Sequence, residues 1–196
     1  MRFSKPLVLL ASIAAFGAEE KTAFKAEPAS SYKTTQTNEN VTIAAVPFDR
    51  DDWNKQAFGK ANPNAMGVLP VLIVIQNDAG KTLSVENIRV EYVTRGARIE
   101  DTPADELMYA GSGKSPRVKN SPLPGQGGSI KKKKNPLASV EIVSRAFSAK
   151  MIPAGESAHG FFYFQTPPRS GARLYLTGVR EAKTGKELFY FEIPLD

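Results

Sequence analysis

Apolar and polar residues alternate along most of this chain in short segments that are typical of β-strands. Residues 68–75 form the strongest of these segments, because apolar side chains occupy both alternating sets. Both faces of that strand should be covered, so it should lie centrally in a sheet. Residues 83–93 end in apolar–charged alternation, which indicates one buried and one solvated face. Further strands are predicted at residues 41–46, 160–165, 173–179 and 187–194.

Aromatic residues are concentrated in the last three predicted strands and should supply much of the core. They are Phe161, Phe162, Tyr163, Phe164, Tyr175, Phe189, Tyr190 and Phe191. The last two strands are joined through residues 183–186, whose composition is typical of a hairpin turn.

Helical patterns occur on the connections between these strands. Residues 51–58 predict a short helix that Asp49 or Asp51 can cap and Gly59 can close. Thr102 can cap a helical turn that begins at Pro103.

A longer amphipathic helix is predicted from Asn135 until Pro153 ends it. Its apolar face carries three- and four-residue spacing through Leu137, Val140, Ser144, Phe147 and Met151. An isolated amphipathic helix is unstable in water, so we expect this one to cover the outer face of strand 68–75.

These elements predict a mostly β fold, an antiparallel β-sandwich with one or two short helices on connections. A small barrel is the alternative. The sandwich should span residues 40–196 and carry a basic, disordered loop at 111–134, which is rich in Gly, Ser and Pro. Residues 18–39 are polar and lack apolar periodicity, so we interpret them as a flexible tether.

The N-terminus has the order of a secretory signal peptide. Arg2 and Lys5 precede the apolar residues 7–16, and small residues follow. The apolar run is shorter than the about 20 residues that a bilayer requires, although an uncleaved anchor is the alternative. We predict a signal peptide over residues 1–17, with cleavage near Gly17 or Ala18. The protein should be exported, to the periplasm or the cell exterior, and should have no transmembrane span after cleavage.

Two motifs resemble those of a known group of proteins. The first is a buried strand that ends in Asn77 before a turn, at residues 71–78. The second is a Pro-x-Gly-Glu turn at residues 153–156 that leads to Gly160 and an aromatic strand. Over about residues 65–196 the chain resembles exported immunoglobulin-like β-sandwich domains of bacterial envelopes, an uncharacterised group. The resemblance implies a fold and a compartment, and it carries over no active site.

Composition narrows the chemistry that the chain can perform. The 196 residues suit one domain, and the absence of cysteine excludes disulfides, thiolate metal sites, a cysteine nucleophile and a lipidated cysteine. His159 is the single histidine of the sequence and lies near Ser157. A catalytic pair also needs a third group that orients the ring, and residues two apart seldom meet. We interpret His159 as structural or solvent-exposed, and we expect no enzymatic activity and no cofactor.

Two acidic clusters and one glycine-rich segment have the composition of possible binding sites. The acids are Asp49, Asp51 and Asp52 in one group, and Glu100, Asp101 and Asp105 in another. Oxygen-rich loops hold calcium, but the glycine and distal glutamate of a calcium-binding helix–loop–helix are missing, and positions near helix starts account for the acids. Residues 125–129 lack the Gly-Lys-Ser/Thr ending of a phosphate loop.

The basic loop is the strongest functional candidate. It holds seven basic residues and no acid: Lys114, Arg117, Lys119, Lys131, Lys132, Lys133 and Lys134. Anionic lipid, acidic polysaccharide and extracellular DNA are possible targets of such charge outside the cytoplasm. The loop contains no aromatic residue for base stacking, so we expect no sequence-specific recognition of nucleic acid. A solvated loop that keeps the protein soluble is the alternative.

The leading hypothesis is a non-catalytic exported envelope or secreted interaction module. Its Lys-rich loop would contact an anionic envelope component, or its sheet edges and aromatic strands would contact a protein partner. The alternative hypothesis is an extracytoplasmic hydrolase that uses carboxylates or a bound calcium ion. A buried carboxylate pair in a pocket would favour the hydrolase, and acids scattered on solvated helix starts would favour the module.

Overall fold

The computed structural model describes residues 24–110 and 135–196, which form a mostly β structure with three antiparallel sheets. The strands are β1 (Thr35–Asn38), β2 (Val41–Pro47), β3 (Leu69–Asn77), β4 (Leu83–Ser84), β5 (Arg89–Val93), β6 (Arg98–Glu100), β7 (Met151–Ile152), β8 (Ser157–Phe164), β9 (Arg173–Thr177), β10 (Arg180–Glu181) and β11 (Phe191–Pro194). The α-helices are α1 (Asp51–Phe58), α2 (Leu107–Ala110) and α3 (Val140–Ser144), and short 3₁₀ turns lie at Ala29–Ser31, Asn64–Met66 and Pro136–Ala138.

The first sheet has the strand order β1-β2-β3-β8, the second β11-β9-β5-β6, and the small third sheet β10-β4-β7. The predicted mostly β class and the central position of β3 are confirmed. β3 pairs with β2 on one side and β8 on the other, and all its residues except Gln76 are buried.

The main core lies between the first and second sheets. Ile43 and Ile73 of the first sheet belong to the same buried cluster as Tyr92, Leu174 and Phe191 of the second. Side chains of one strand alternate between its two faces, so these residues define the inner face of each sheet.

A second core covers the outer face of the first sheet. Leu72 and Val74 of β3 pack with Phe58 of α1 and Ile142 of α3 in this second cluster, which also includes Leu107 of α2. We call α1, α2, the Pro136–Ala138 turn and α3 the helical layer. The molecule therefore has three layers, with the first sheet in the middle, and the expected cover over β3 is confirmed.

The predicted long helix after Asn135 is wrong in its length and its face. It is replaced by the 3₁₀ turn and by α3, whose N-cap is the side chain of Ser139. Leu137 and Ile142 are the buried residues, whereas the side chain of Val140 is 78% exposed and Met151 lies in β7.

Backbone pairing with β8 ends the helical conformation. Phe161 N–H donates to the carbonyl of Arg145 (2.8 Å), and Phe147 N–H donates to the carbonyl of Phe161 (3.1 Å). A residue whose backbone groups bond to a strand cannot continue the i to i−4 ladder of a helix. The strand that is distant in sequence therefore determines where α3 stops.

The predicted strand 83–93 is also divided. β4 belongs to the third sheet and β5 to the second, and a turn around Glu86 and Asn87 separates them. Gly178 approaches the backbone of Asn87 so closely that a Cβ atom at this position would overlap it, and its φ is +85°. The break lets the chain leave one sheet and enter another.

Part of the segment interpreted as a tether is paired. β1 forms a hairpin with β2 through Glu39 and Asn40, which both have positive φ (47° and 59°), as a two-residue turn of this kind requires. Ala29 is fully buried. β1 is an edge strand, and its polar composition suits that position. Residues 18–23 lie outside the described residues.

The capping predictions have mixed outcomes. Gly59 closes α1 as expected, with φ +64° and its N–H bonded to the carbonyl of Lys55. Arg50, not an aspartate, is the N-cap of α1, and no side chain caps it there. The Thr102 hydroxyl accepts a hydrogen bond from the Gln165 side chain, which directly follows β8. The helix after Thr102, α2, begins only at Leu107.

Candidate functional site

The seven basic residues predicted to contact an anionic surface lie outside the described residues, but the structure shows where their segment is attached. Its two ends are Ala110 and Asn135. The Asn135 side-chain amide donates to the carbonyl of Met108 (2.6 Å), and its Oδ1 accepts from the N–H of Leu137 (3.0 Å). One asparagine therefore ties the end of α2 to the start of the Pro136–Ala138 turn. The basic segment leaves the fold and returns to it at one place.

This attachment point is anchored in the helical layer. Leu107 and Leu137, which flank it, are almost completely buried against the first sheet. The Tyr163 hydroxyl of β8 donates to the carbonyl of Ile142 (2.7 Å), which fixes α3 to the same sheet. Burial raises the pKa of Tyr163, so the phenol stays a donor at neutral pH.

A groove of about 830 Å³ lies beside the attachment point, between α1 and residues 135–141. Lys55, Lys60, Val140 and Glu141 are among the residues that line it. The groove is therefore lined by two lysine ammonium groups and the carboxylate of Glu141. Neither lysine forms a salt bridge with any residue that the structure describes.

The N-terminal end of the described chain lies on the same layer. The ring of Phe24 packs against Phe48 (centroids 5.8 Å apart) and Phe161 (5.4 Å). The guanidinium of Arg145, which directly follows α3, lies 5.6 Å from the centroid of the Phe24 ring. The chain therefore enters the structure at the helical layer.

The outer face of the second sheet has a different character. Tyr175 of β9 and Tyr190, next to β11, pack ring against ring with centroids 5.1 Å apart. The guanidinium of Arg98 lies over Tyr175 and is ion-paired with Glu91 (2.8 Å). Phe189 is 73% exposed. The prediction that Tyr175, Phe189 and Tyr190 belong to the core is therefore wrong, whereas it is correct for residues 161–164 and for Phe191.

The histidine is not assembled with catalytic partners in the described part of the chain. His159 is exposed on β8, opposite Val74. It borders a small cavity of about 150 Å³ together with Ser148 and Arg145, and that cavity contains no carboxylate side chain.

The acids near helix starts are engaged in local interactions. Asp52 forms a salt bridge with Arg50 (2.7 Å), and Asp51 accepts from Asn62 (2.8 Å). Burial raises the pKa of Asp101, and the neighbouring Glu100 contributes to that rise. Within residues 24–110 and 135–196, no three His, Cys, Asp or Glu side chains are grouped so that they could hold a metal ion.

The two motifs of the resemblance form one junction. The Asn77 amide donates to the carbonyls of Lys81 (2.8 Å), Ile152 (2.9 Å) and Pro153 (2.9 Å), and its Oδ1 accepts from Ala79 N–H (3.2 Å). Its backbone bonds Gly155 N–H and the Glu156 carbonyl, so the strand end holds the Pro-x-Gly-Glu turn. The role of these motifs is to shape the fold.

The lysine-lined groove and the aromatic pair of the second sheet were missed by sequence reasoning. Val140 and Val143 fit a helical apolar pattern, so the sequence signal placed Val140 in the core. Tyr175 lies between two leucines and Tyr190 between two phenylalanines, and both patterns are typical of buried strands. Successive side chains of a strand lie on opposite faces of the sheet. Only the folded sheet therefore shows which of these rings lie on the solvent side and which are buried.

No helix among the described residues has the length and the apolar character that a membrane crossing requires. No known protein family has a model that matches this sequence, and a comparison with curated proteins finds no match. A comparison with solved structures finds a match to a candidate lipoprotein (ycdA) from Bacillus subtilis subsp. subtilis str. 168. The TM-score is 0.40 and the sequence identity 12%, over 83% of this chain and 39% of that one. This chain thus spans less than half the length of that protein.

Proposed function

We propose that this chain is an exported, non-catalytic interaction module that contacts an anionic surface of the cell envelope. The observation that carries the proposal is the attachment of the basic segment. Asn135 donates to the carbonyl of Met108, so the described residues on either side of the segment with the seven cations meet at one place on the helical layer. Charges that share one attachment point act together on a polyanionic surface, where each contact releases counterions.

The charge distribution supports this proposal. The formal charge of the whole chain is +6, so the seven cations of residues 111–134 account for all of its positive balance. The adjoining groove holds Lys55 and Lys60 against one carboxylate, Glu141, and so adds one positive charge in excess on the described surface. The contact would therefore be local, and the rest of the molecule would not be drawn non-specifically onto the same surface.

An immunoglobulin-like architecture is the finer fold that we propose. If the seven main strands are lettered in chain order, β2, β3 and β8 correspond to A, B and E of one sheet. β11, β9, β5 and β6 correspond to G, F, C and C′ of the other, the order of the immunoglobulin-like sandwich. Tyr92 of β5 is buried against Phe164 (5.7 Å), where antibody domains place a core aromatic residue.

Export is the second part of the proposal, and it rests on the basic–apolar–small order of the N-terminus. Domains of this architecture display loops from a rigid sandwich and commonly serve adhesion or assembly. A domain of that kind needs no catalytic group for its role.

The test is co-sedimentation of residues 18–196 with purified cell envelopes across a salt series. We expect the protein to sediment at low salt and to be released as salt rises, because the contacts are electrostatic. Changing Lys131, Lys132, Lys133 and Lys134 to Gln should lower the apparent affinity by about tenfold or more and flatten the salt dependence.

A matched control changes four exposed lysines elsewhere to Gln: Lys33, Lys150, Lys183 and Lys186. This variant has the same net charge and should still sediment. If both variants lose affinity equally, only net charge matters, and the proposed site is wrong. If the unaltered protein stays in solution at low salt, the proposed function itself is wrong.

A further inference from the structure

We propose that the anionic surface is a lipid bilayer and that the helical layer is the face that enters it. This inference rests on the proposed function and names its partner. The apolar side chains that would enter the bilayer are Met108, Val140 and Val143, which we call the apolar rim.

The apolar rim is exposed without serving the core. Val140 and Val143 are 78% and 53% exposed, and Met108 is 41% exposed. Ile142 lies between the two valines and is fully buried, so the valines share the outward side of α3. Met108 is tied to the start of the same segment through Asn135. The two valines are neighbours on α3, and grouped exposed apolar residues mark interaction surfaces more often than single ones do.

Charge on the same layer distinguishes a bilayer from other anionic partners. Val140 lines the groove that also carries Lys55, Lys60 and one carboxylate, Glu141, so the groove has one positive charge in excess. Apolar side chains bordered by lysines are the pattern of surfaces that lie in the headgroup region of a membrane. An acidic polysaccharide has no hydrocarbon interior that would take up valine or methionine, so the apolar rim would have no partner there.

The points at which the chain leaves the described structure agree with this orientation. Phe24, Ala110 and Asn135 all belong to, or pack against, the helical layer. Residues 1–23 and 111–134 therefore both join the fold on that side of the first sheet. The Tyr175–Tyr190 face of the second sheet lies on the other side of the sandwich and would face away from the bilayer.

The absence of cysteine allows a direct test. Val140→Cys and Tyr190→Cys each introduce one thiol, at sites that are 78% and 49% exposed, and Tyr190 packs on Tyr175 of the second sheet. Each variant is labelled with an environment-sensitive fluorophore. It is then mixed with vesicles of phosphatidylcholine alone, or with vesicles that also contain about 30 mol% phosphatidylglycerol. We expect a blue shift of the label at position 140, in the anionic vesicles only, and no shift at position 190.

A second variant tests the energetic role of the apolar rim. Val140→Asp combined with Val143→Asp should lower the affinity for anionic vesicles by about tenfold or more, because two charges would have to enter the bilayer. Met151→Asp is the control: Met151 is an exposed apolar residue of β7 in the third sheet, and its substitution should leave binding unchanged.

The outcomes separate this inference from the proposed function. If cell envelopes bind the protein but anionic vesicles do not, the partner is not lipid, and this inference alone is wrong. If vesicles bind and neither label shifts, the contact stops at the headgroups and insertion is wrong. Equal shifts at positions 140 and 190 would contradict the orientation.

Discussion

The outer faces of the two large sheets differ, although the sheets share one core. On the first sheet the outer face is covered by helices, and Leu72 and Val74 are buried there. On the second sheet it is open, and ion pairs and an aromatic pair lie on it. A strand that is covered on both sides cannot alternate in polarity, whereas a strand with one solvated side must. The difference shows that the pattern of apolar residues along a strand indicates whether one or both of its faces are covered by other elements.

The two outer faces also differ in the surface features that a partner could bind. The helical layer carries three features besides its buried anchors: the tie between Asn135 and Met108, a groove whose lysines form no salt bridge with a described residue, and two exposed valines. On the open face, Arg98 and Arg173 are each paired with a carboxylate, and the surface there is nearly balanced in charge. The described helical layer is itself not positive, because α1 carries Asp51 and Asp52 beside Lys55, and α3 carries Glu141. A negatively charged partner would therefore be attracted by the basic segment that is attached to this layer.

The largest expected effect is a difference in the free energy of unfolding between substitutions on the outer faces of the two large sheets. Leu72→Ala should lower the free energy of unfolding by about 2–5 kcal/mol, because it leaves a cavity between β3 and the helical layer. Val93→Ala, on the outer face of β5, should cost less than about 1 kcal/mol. Urea denaturation would measure both. Similar costs at the two positions would contradict the three-layer description, and Leu72→Val would report the same trend if the alanine variant did not fold.

A smaller effect is expected at the polar junction of the first and third sheets. Asn77→Ala leaves three carbonyls and one N–H without the side-chain partner that they have now, and it should cost about 2–4 kcal/mol. Gln76→Ala is the control, since Gln76 is only partly buried, and it should cost less than about 0.5 kcal/mol. Thermal melting of both variants would decide whether the junction stabilises the fold, and equal melting temperatures would refute that role.

The smallest expected effect concerns charge at the third sheet. Hydrogen bonds from Thr184 and Lys81 lower the pKa of Glu181. A carboxyl whose folded pKa is lowered stabilises the fold fully above its unfolded pKa and loses that contribution as pH falls through the folded value. Glu181→Gln should therefore be slightly destabilising at neutral pH and indistinguishable from the unaltered protein at strongly acid pH. A penalty that persisted in acid would show that the carboxylate charge is irrelevant.

Much of the fold could be predicted because its signals are local. Residues 68–75 show a continuous apolar run, and the corresponding strand is covered on both faces. Gly59 follows the polar–apolar pattern of α1, and it ends that helix with a positive φ. Both features depend on neighbouring residues and backbone sterics, which the sequence displays directly.

The failures share a different cause. The helix predicted up to Pro153 stops at Ser144, because the backbone around Arg145 and Phe147 bonds to β8. The strand predicted at 83–93 divides because its two halves pair with different sheets. For the candidate site, the basic segment was visible in the sequence, but the groove beside it depends on α1 and residues 135–141 meeting. Partners that are distant in the chain leave no local signal.

By itself the sequence determined the β class, the doubly covered strand and the cluster of seven cations, because periodicity and charge can be read from neighbouring residues. Only the tertiary structure decided which aromatic rings face solvent, where α3 ends, and that Asn135 closes the basic segment onto Met108. These features are hydrogen bonds and contacts between segments that are far apart in the chain, and folding alone brings such segments together.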